Sequence, residues 1–373
     1  MSDRPLNIVH TESSCGWGGQ EIRILTEAEG MARRGHRLTL LCPQEAPIYS
    51  EAKRRGLDVV ALPIARKRLP GVRALRRWLK AHPTDIVNTH SSTDSWLAAV
   101  ACLGWRAAPA LVRTRHVSVP VSNDLTTRWL YTRATRHIVT TGERLRETLI
   151  RDNRFPAGMI TSVPTGIDTG RFQPGDKAAV RRQLGLPEDA FIVGIVATLR
   201  SWKGHQYLIE AFAALPEDLA GERPLHLLMV GGGPQEENIR GQIRQLGIED
   251  RVTLPGNQQD VVPWMQAMDL FALPSYANEG VPQGILQAML CGLPIVSTPI
   301  GSITEAIHHG ETGLIVEPED PNALAAALTR MITDPASRKR LGKAAHGYAM
   351  EHFSSKQMLD RMEEIFRTAV TDH

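Results

Sequence analysis

Apolar runs of four to nine residues alternate with amphipathic stretches along the first half of the chain. Segments 6–11, 37–42, 58–63, 86–90, 110–116 and 137–141 read as strands, each short, apolar and bounded by polar, Gly or Pro residues. The stretches between them have helical spacing, as in 21–34 with Ile22, Leu25, Ala28 and Met31. Strand and helix in strict alternation predict a mostly parallel sheet with helices on both faces. The pattern restarts beyond residue 172, with strands expected at 191–199, 225–230, 252–254, 270–273, 294–297 and 313–316. The expected fold is therefore α/β, with two doubly wound domains facing across a cleft and ligands at the carboxyl ends of the strands. A last helix is expected at 355–370, apolar at positions 358, 362, 365, 366 and 370. The most apolar tract, 96–112, is broken by Arg106 and Pro109; it reads as a core helix and the following strand, not as a membrane span.

At 373 residues the chain is long enough for two cores. The net charge of +3 conceals an asymmetry. Residues 1–172 hold 26 Lys+Arg against 15 Asp+Glu, net +11, and residues 173–373 hold 17 against 25, net −8. Opposite signs point to two domains with different partners, the basic one suited to an anionic acceptor or surface. Four scattered cysteines (15, 42, 102, 291) with no C-x-x-C pair, and no charged-then-apolar leader pattern, favour a reduced, cytoplasmic setting.

Several stretches carry candidate chemistry. Gly16-Trp17-Gly18-Gly19-Gln20-Glu21 follows the first strand and opens the first helix, where glycine lets a ligand approach free N–H groups. Its spacing is not that of a nicotinamide-binding loop. Thr198 to Gly204 ends the first strand of the second half and holds Arg200 and Lys203, cations at a helix start that oppose its dipole and so favour an anion between them. From 274 to 298 a strand, a loop with Glu279 and Gly280, a helix at 285–290, a stop at Gly292 and a further strand follow in turn. His116 and His90 end neighbouring strands, and Arg113 and Arg115 share a strand with His116. In 65–82 seven basic residues (Arg66, Lys67, Arg68, Arg73, Arg76, Arg77, Lys80) stand without an acid, and Val72, Leu75, Trp78 and Leu79 fall at helical spacing. Such a segment reads either as a basic helix docking its apolar stripe on the sheet or as a peripheral contact with an anionic membrane, Trp78 at the interface.

These residues resemble the donor site of the retaining family 4 glycosyltransferases (glycosyl transferases group 1), which have the two-domain GT-B fold of Rossmann-like halves. The resemblance runs over nearly the whole chain. It implies an acceptor-side domain at 1–170, a donor-binding domain at 171–352 and a helix at 353–373 that packs back on the first domain. Glu279 matches the family's donor-sugar carboxylate, Lys203 its phosphate-binding lysine and His116 its active-site histidine; these are the implied catalytic residues. Gly18 and Gly19 match the loop facing the donor phosphates, and Gly256 and Asn257 the loop against the nucleotide base. Arg200, Gly280, Gly284, Ile285 and Gln287 complete the implied donor set. The chain departs from the family pattern at Gln287, where a second acid is usual, at Thr198, where an Arg is usual, and at Val281-Pro282. The implied activity moves a hexose from a UDP- or GDP-linked donor to a glycan or lipid-linked acceptor of cell-envelope or lipopolysaccharide type. It implies retention of configuration, no cofactor, no bound metal and no nucleic-acid partner, at the inner face of the cell membrane. Two rival readings keep the fold: a sugar-nucleotide epimerase or hydrolase, and a degenerate non-catalytic subunit.

Overall fold

The computed structural model describes residues 4–117 and 119–371. The chain divides into two compact units, residues 1–166 with 355–373, and residues 167–354. In unit 1, β1 (Asn7–Thr11), β2 (Arg37–Cys42), β3 (Asp58–Ala61), β4 (Ile86–Thr89), β5 (Ala110–Arg115), β6 (His137–Thr140) and β7 (Ile160–Ser162) form one sheet in the order β3-β2-β1-β4-β5-β6-β7. In unit 2, β8 (Phe191–Val196), β9 (Leu225–Val230), β10 (Val252–Gly256), β11 (Leu270–Leu273), β12 (Ile295–Ser297) and β13 (Leu314–Ile315) take the order β10-β9-β8-β11-β12-β13. Both sheets are parallel throughout.

All twelve strands read from the apolar runs are present; six end one to three residues earlier than expected, and β10 runs two residues further. Strand β7 was not anticipated, because Ile160-Thr161-Ser162 has one apolar residue and too little length to show a period. The helix expected at 21–34 spans Gly19–Arg33, and that expected at 285–290 spans Gln283–Leu290.

Alternation along β1 shows how unit 1 builds two cores from one sheet. Val9 faces a cluster with Leu41, Val87, Leu75 and Leu79, while Ile8 faces the opposite cluster with Ala28, Met31, Ile86 and Val112. Met358, Met362, Ile365 and Phe366 of the last helix, Ser355–Thr371, belong to that second cluster. A Cβ placed on Gly30 would stand 2.4 Å from Leu359 Cδ1, so the missing side chain lets this helix close on Gly19–Arg33. Arg34 fixes it further through Asp360 (2.6 Å) and Glu363 (3.0 Å). Among the described residues no helix is long and apolar enough to cross a membrane.

Phe366 is fully buried in this second core. Phe366→Ala should cost about 3–5 kcal/mol, the usual range for a large core truncation. Hydrogen exchange read by mass spectrometry should show lost protection in β1, β4 and β5 with β8 and β9 unchanged; equal loss in both units would contradict the division of the cores.

Candidate active site

In each sheet the strand order reverses once, between β1 and β4 in unit 1 and between β8 and β11 in unit 2. Connections leave such a point in opposite directions, so a crevice opens above the strand tips and is the expected ligand site. The two sets of candidate residues lie at these two points.

In unit 2 the segments after β8 and β11 converge. Lys203 Nζ donates to both oxygens of Glu279, at 2.7 and 3.0 Å, and Ser275 Oγ donates to Glu279 Oε1 at 2.7 Å. Glu279 is 5% exposed and Lys203 is partly exposed. The cation expected to attract an anion at the helix start thus faces Glu279 itself. Backbone geometry holds the pair together. Tyr276 N–H donates to Trp202 O at 2.9 Å, and the Thr298 hydroxyl donates to Ser275 O. Gly204 has φ +75°, and a Cβ there would lie 2.0 Å from Pro274 O. Gly301 has φ +59°, and a Cβ there would lie 1.9 Å from Glu279 O. Only glycine allows these approaches. Asn278, with φ 59°, takes the left-handed region immediately before Glu279, a cost that a non-glycine residue pays mostly in functional loops.

The remaining donor candidates of unit 2 have the following surroundings. Arg200 is exposed and its guanidinium lies over Trp202 at 5.5 Å. Gly284 is half-buried; a Cβ on it would meet Val196 O at 2.7 Å, so it serves close packing of the helix Gln283–Leu290 on β8. Ile285 is buried in the core and its N–H already goes to Pro282 O at 3.1 Å, so its side chain is turned from any ligand. Gln287 is half-buried on the same helix, and Gly280 is half-buried in the loop before it. Gly256 (φ +75°) and exposed Asn257 end β10 beside the 231–233 turn, where Gly231 N–H donates to Gly256 O at 3.0 Å.

In unit 1 the tips of β1, β4 and β5 bring three histidines into line. His10 Nδ1 lies 2.7 Å from His90 Nε2, and His90 Nδ1 lies 2.9 Å from His116 Nε2. His116 and His90 are thus brought together, and His10, a third member, was not anticipated. Burial first, then nearby positive charge, pushes His10 down to about 3 and holds His90 and His116 well below the ordinary imidazole range. All three are neutral at pH 7. Gly18 precedes the helix Gly19–Arg33 and its carbonyl accepts from Ile22 N–H at 3.1 Å, while Gly19 is exposed. Asp94 caps the helix Ser92–Cys102 by accepting from Ser91 N–H at 2.8 Å and also takes the Thr11 hydroxyl at 2.7 Å. A cavity of about 520 Å³ opens here, lined by Ser13, Cys15, Arg66, Ser91, Ser92 and Thr93 among others. Arg113 is 5% exposed, packs over Tyr131 at 4.3 Å and leaves Nη1 without a hydrogen bond among the described residues.

The basic segment forms the helix Leu69–Ala81 and the stretch before it. Its apolar stripe docks on the unit: Leu75 and Leu79 are buried, with Val72 and Trp78 packed beside them. Trp78 is half-buried and stacks on His82 at 4.2 Å, so this side of the helix serves at least to cover the sheet. Arg76 is also committed, donating to Ala101 O (2.6 Å) and Leu103 O (3.0 Å) at the end of the neighbouring helix. Arg66, Lys67, Arg68, Arg73, Arg77 and Lys80 remain on the surface.

Residues 176–347 match the family model described as glycosyl transferases group 1, and residues 17–171 match that described as glycosyltransferase family 4. A D-inositol 3-phosphate glycosyltransferase of Actinosynnema mirum is 30% identical, over 89% of this chain and 88% of its own length. Another so named, from Corynebacterium glutamicum, is 27% identical over 95% and 93% of the two chains. Among solved structures, a glycosyltransferase from Rickettsia africae superposes with a TM-score of 0.88 at 19% identity, over 99% of this chain and all of that one. Anabaena HepE in complex with UDP-glucose gives 0.86 at 23%, over 97% of this chain and all of HepE. With both sheets in the Rossmann-like order and the two family models covering both units, the chain belongs to the family 4 glycosyltransferases of GT-B fold.

Proposed function

We propose that this glycosyltransferase moves a hexose, with retention, from a UDP- or GDP-linked donor bound at the unit 2 strand tips to an anionic acceptor recruited by unit 1. The observation that carries this reading is the Lys203–Glu279 pair above the β8/β11 reversal. A lysine ammonium has three N–H donors and Glu279 takes two, leaving one for a phosphate oxygen. The carboxylate, fixed by Lys203 and Ser275, keeps lone pairs for sugar hydroxyls. As the bond from the anomeric carbon to the diphosphate breaks, its electron pair stays on the phosphate oxygen, and a cation already in place lowers that barrier without reorganising. The acceptor oxygen bonds to the same face of that carbon and its proton passes to the departing phosphate. His116 meets substrate from unit 1. Solved relatives with UDP and UDP-glucose support a nucleotide-sugar donor, and the curated relatives' names support a phosphate-bearing acceptor. A lipid-linked envelope glycan of the same charge, met at the inner membrane face, is the other form the acceptor takes in this proposal.

Screening a panel of nucleotide sugars for transfer by mass spectrometry identifies the donor, and NMR of the product gives its anomeric configuration. With that donor, Lys203→Met and Glu279→Gln should each lower kcat by about 10²–10³-fold with melting little changed. Turnover like wild type in either variant would remove the assignment.

Gly301→Ala tests the backbone that carries Glu279. The added methyl group has to displace the Glu279 carbonyl and sits at positive φ, so donor turnover should fall well beyond what a stability loss of about 1–3 kcal/mol explains. Full activity in the folded variant would show that the position of Glu279 is not critical.

The membrane contact proposed for the basic helix is electrostatic alone, because its apolar stripe is spent inside the unit. Cosedimentation with anionic vesicles should occur at low salt and vanish at about 0.5 M, where the Debye length is a few ångströms. Binding that survives high salt would mean apolar insertion and contradict this.

A further inference from the structure

The line of three histidines does not end in the sheet. His10 Nε2 faces Glu27 Oε1 at 3.7 Å, and neither His10 Nε2 nor Glu27 Oε2 has a hydrogen-bond partner among the described residues. His10 and Glu27 are fully buried, and His90 is 4% exposed. On its own helix Glu27 has Arg23, whose Nε lies 3.8 Å away and whose Nη1 donates to Val163 O. From β4, Asn88 Nδ2 donates to Glu27 Oε1 at 3.1 Å, and Thr114 of β5 donates to Asn88 Oδ1 at 2.9 Å. The last helix presents the Met362 sulfur to Arg23. Asp94 faces the line only through the His90 backbone N–H.

A neutral imidazole has one donor and one acceptor nitrogen, so in a hydrogen-bonded row of three the tautomer of one ring dictates the other two. Two arrangements exist. In the inward one, His116 Nε2–H donates to His90 Nδ1, His90 Nε2–H donates to His10 Nδ1, and the His10 Nε2–H points at Glu27. His116 Nδ1 then carries a lone pair at the strand tip. In the outward one every donor reverses, the His10 Nε2 lone pair faces Glu27, and His116 Nδ1 carries a proton. A Glu27 carboxylate favours the first and a protonated Glu27 the second.

We propose that Glu27 and His10 are positioning residues that set, through His90, whether His116 offers an acceptor or a donor at Nδ1. The proton balance closes. One proton taken at His116 Nδ1 displaces one from each ring in turn and delivers one to Glu27, converting the inward row into the outward row. The last transfer crosses the 3.7 Å gap, which shortens before the proton moves. Burial pushes the Glu27 carboxyl up to about 7, with Arg23 holding it back. Below that pH Glu27 is protonated and the row points outward; above it Glu27 is ionised and the row points inward. For its effect on turnover this inference rests on the proposed contact of His116 with substrate, whereas the tautomer itself does not.

The test is a ¹H–¹⁵N long-range correlation spectrum of the ¹⁵N-histidine-labelled full chain, titrated from about pH 5.5 to about 8.5, with His116→Asn for assignment. His116 should change from the Nδ1–H to the Nε2–H pattern with a midpoint near the Glu27 value, and Glu27→Gln should abolish the midpoint. A wild-type His116 pattern that is constant across the range overturns the proposal, as does an unchanged midpoint in Glu27→Gln. In kinetics Glu27→Gln should displace the pH profile of kcat with less than about threefold change in donor KM. A tautomer that responds while the kcat profile stays fixed upholds the row and removes the contact of His116 with substrate instead.

Discussion

A lysine and a glutamate 76 residues apart, joined at 2.7 Å over the point where the unit 2 strand order reverses, is the interaction on which the functional reading depends. Each charge alone would be costly. Glu279 is almost wholly buried, and a buried charged group without a partner is unfavourable. Paired, the two side chains are held in place by each other and by Ser275, and a preorganised polar group is the condition for stabilising charge that develops during reaction. The fold provides for this pair through glycines: Gly204 beside Pro274 and Gly301 beside Glu279 let three segments meet at distances a Cβ would forbid.

Unit 1 uses a different device at its own reversal point. It places neutral, mutually hydrogen-bonded imidazoles at the tips of three adjacent strands, with the one carboxylate of the row set behind them. Unit 2 thus sets an ion pair, and unit 1 a row of imidazoles, at its strand-order reversal. Around them, the second half is net acidic, while the basic first half spreads surface charge on the helix Leu69–Ala81 and the stretch before it.

Much of this was legible in the sequence, for identifiable reasons. Parallel strands buried on both faces leave continuous apolar runs, so twelve of thirteen strands could be read, and β7 escaped because Thr161 and Ser162 break its run. Lys203 and Glu279 stood out by their motif. Their direct bond did not, since nothing in the spacing of residues 203 and 279 says that two loops from β8 and β11 meet. Glu27 and Arg23 carried a faint signal: charged residues i and i+4 within a stretch whose neighbours Ile24, Leu25 and Ala28 are core. Their charge alone does not tell that both are fully buried, at the inner end of the histidine row. Trp78 stands beside basic residues in a pattern that suggests a membrane, and the sequence does not show that the same ring also packs against the core of its own unit.

The most direct test compares binding of the donor with binding of the bare nucleoside diphosphate by calorimetry, in wild type and in Glu279→Ala. If Glu279 holds the sugar while Lys203 holds the diphosphate, the substitution should erase the affinity gained from the hexose and leave a measurable affinity for the diphosphate. An undiminished preference for the sugar-bearing ligand in Glu279→Ala would contradict the account at its centre.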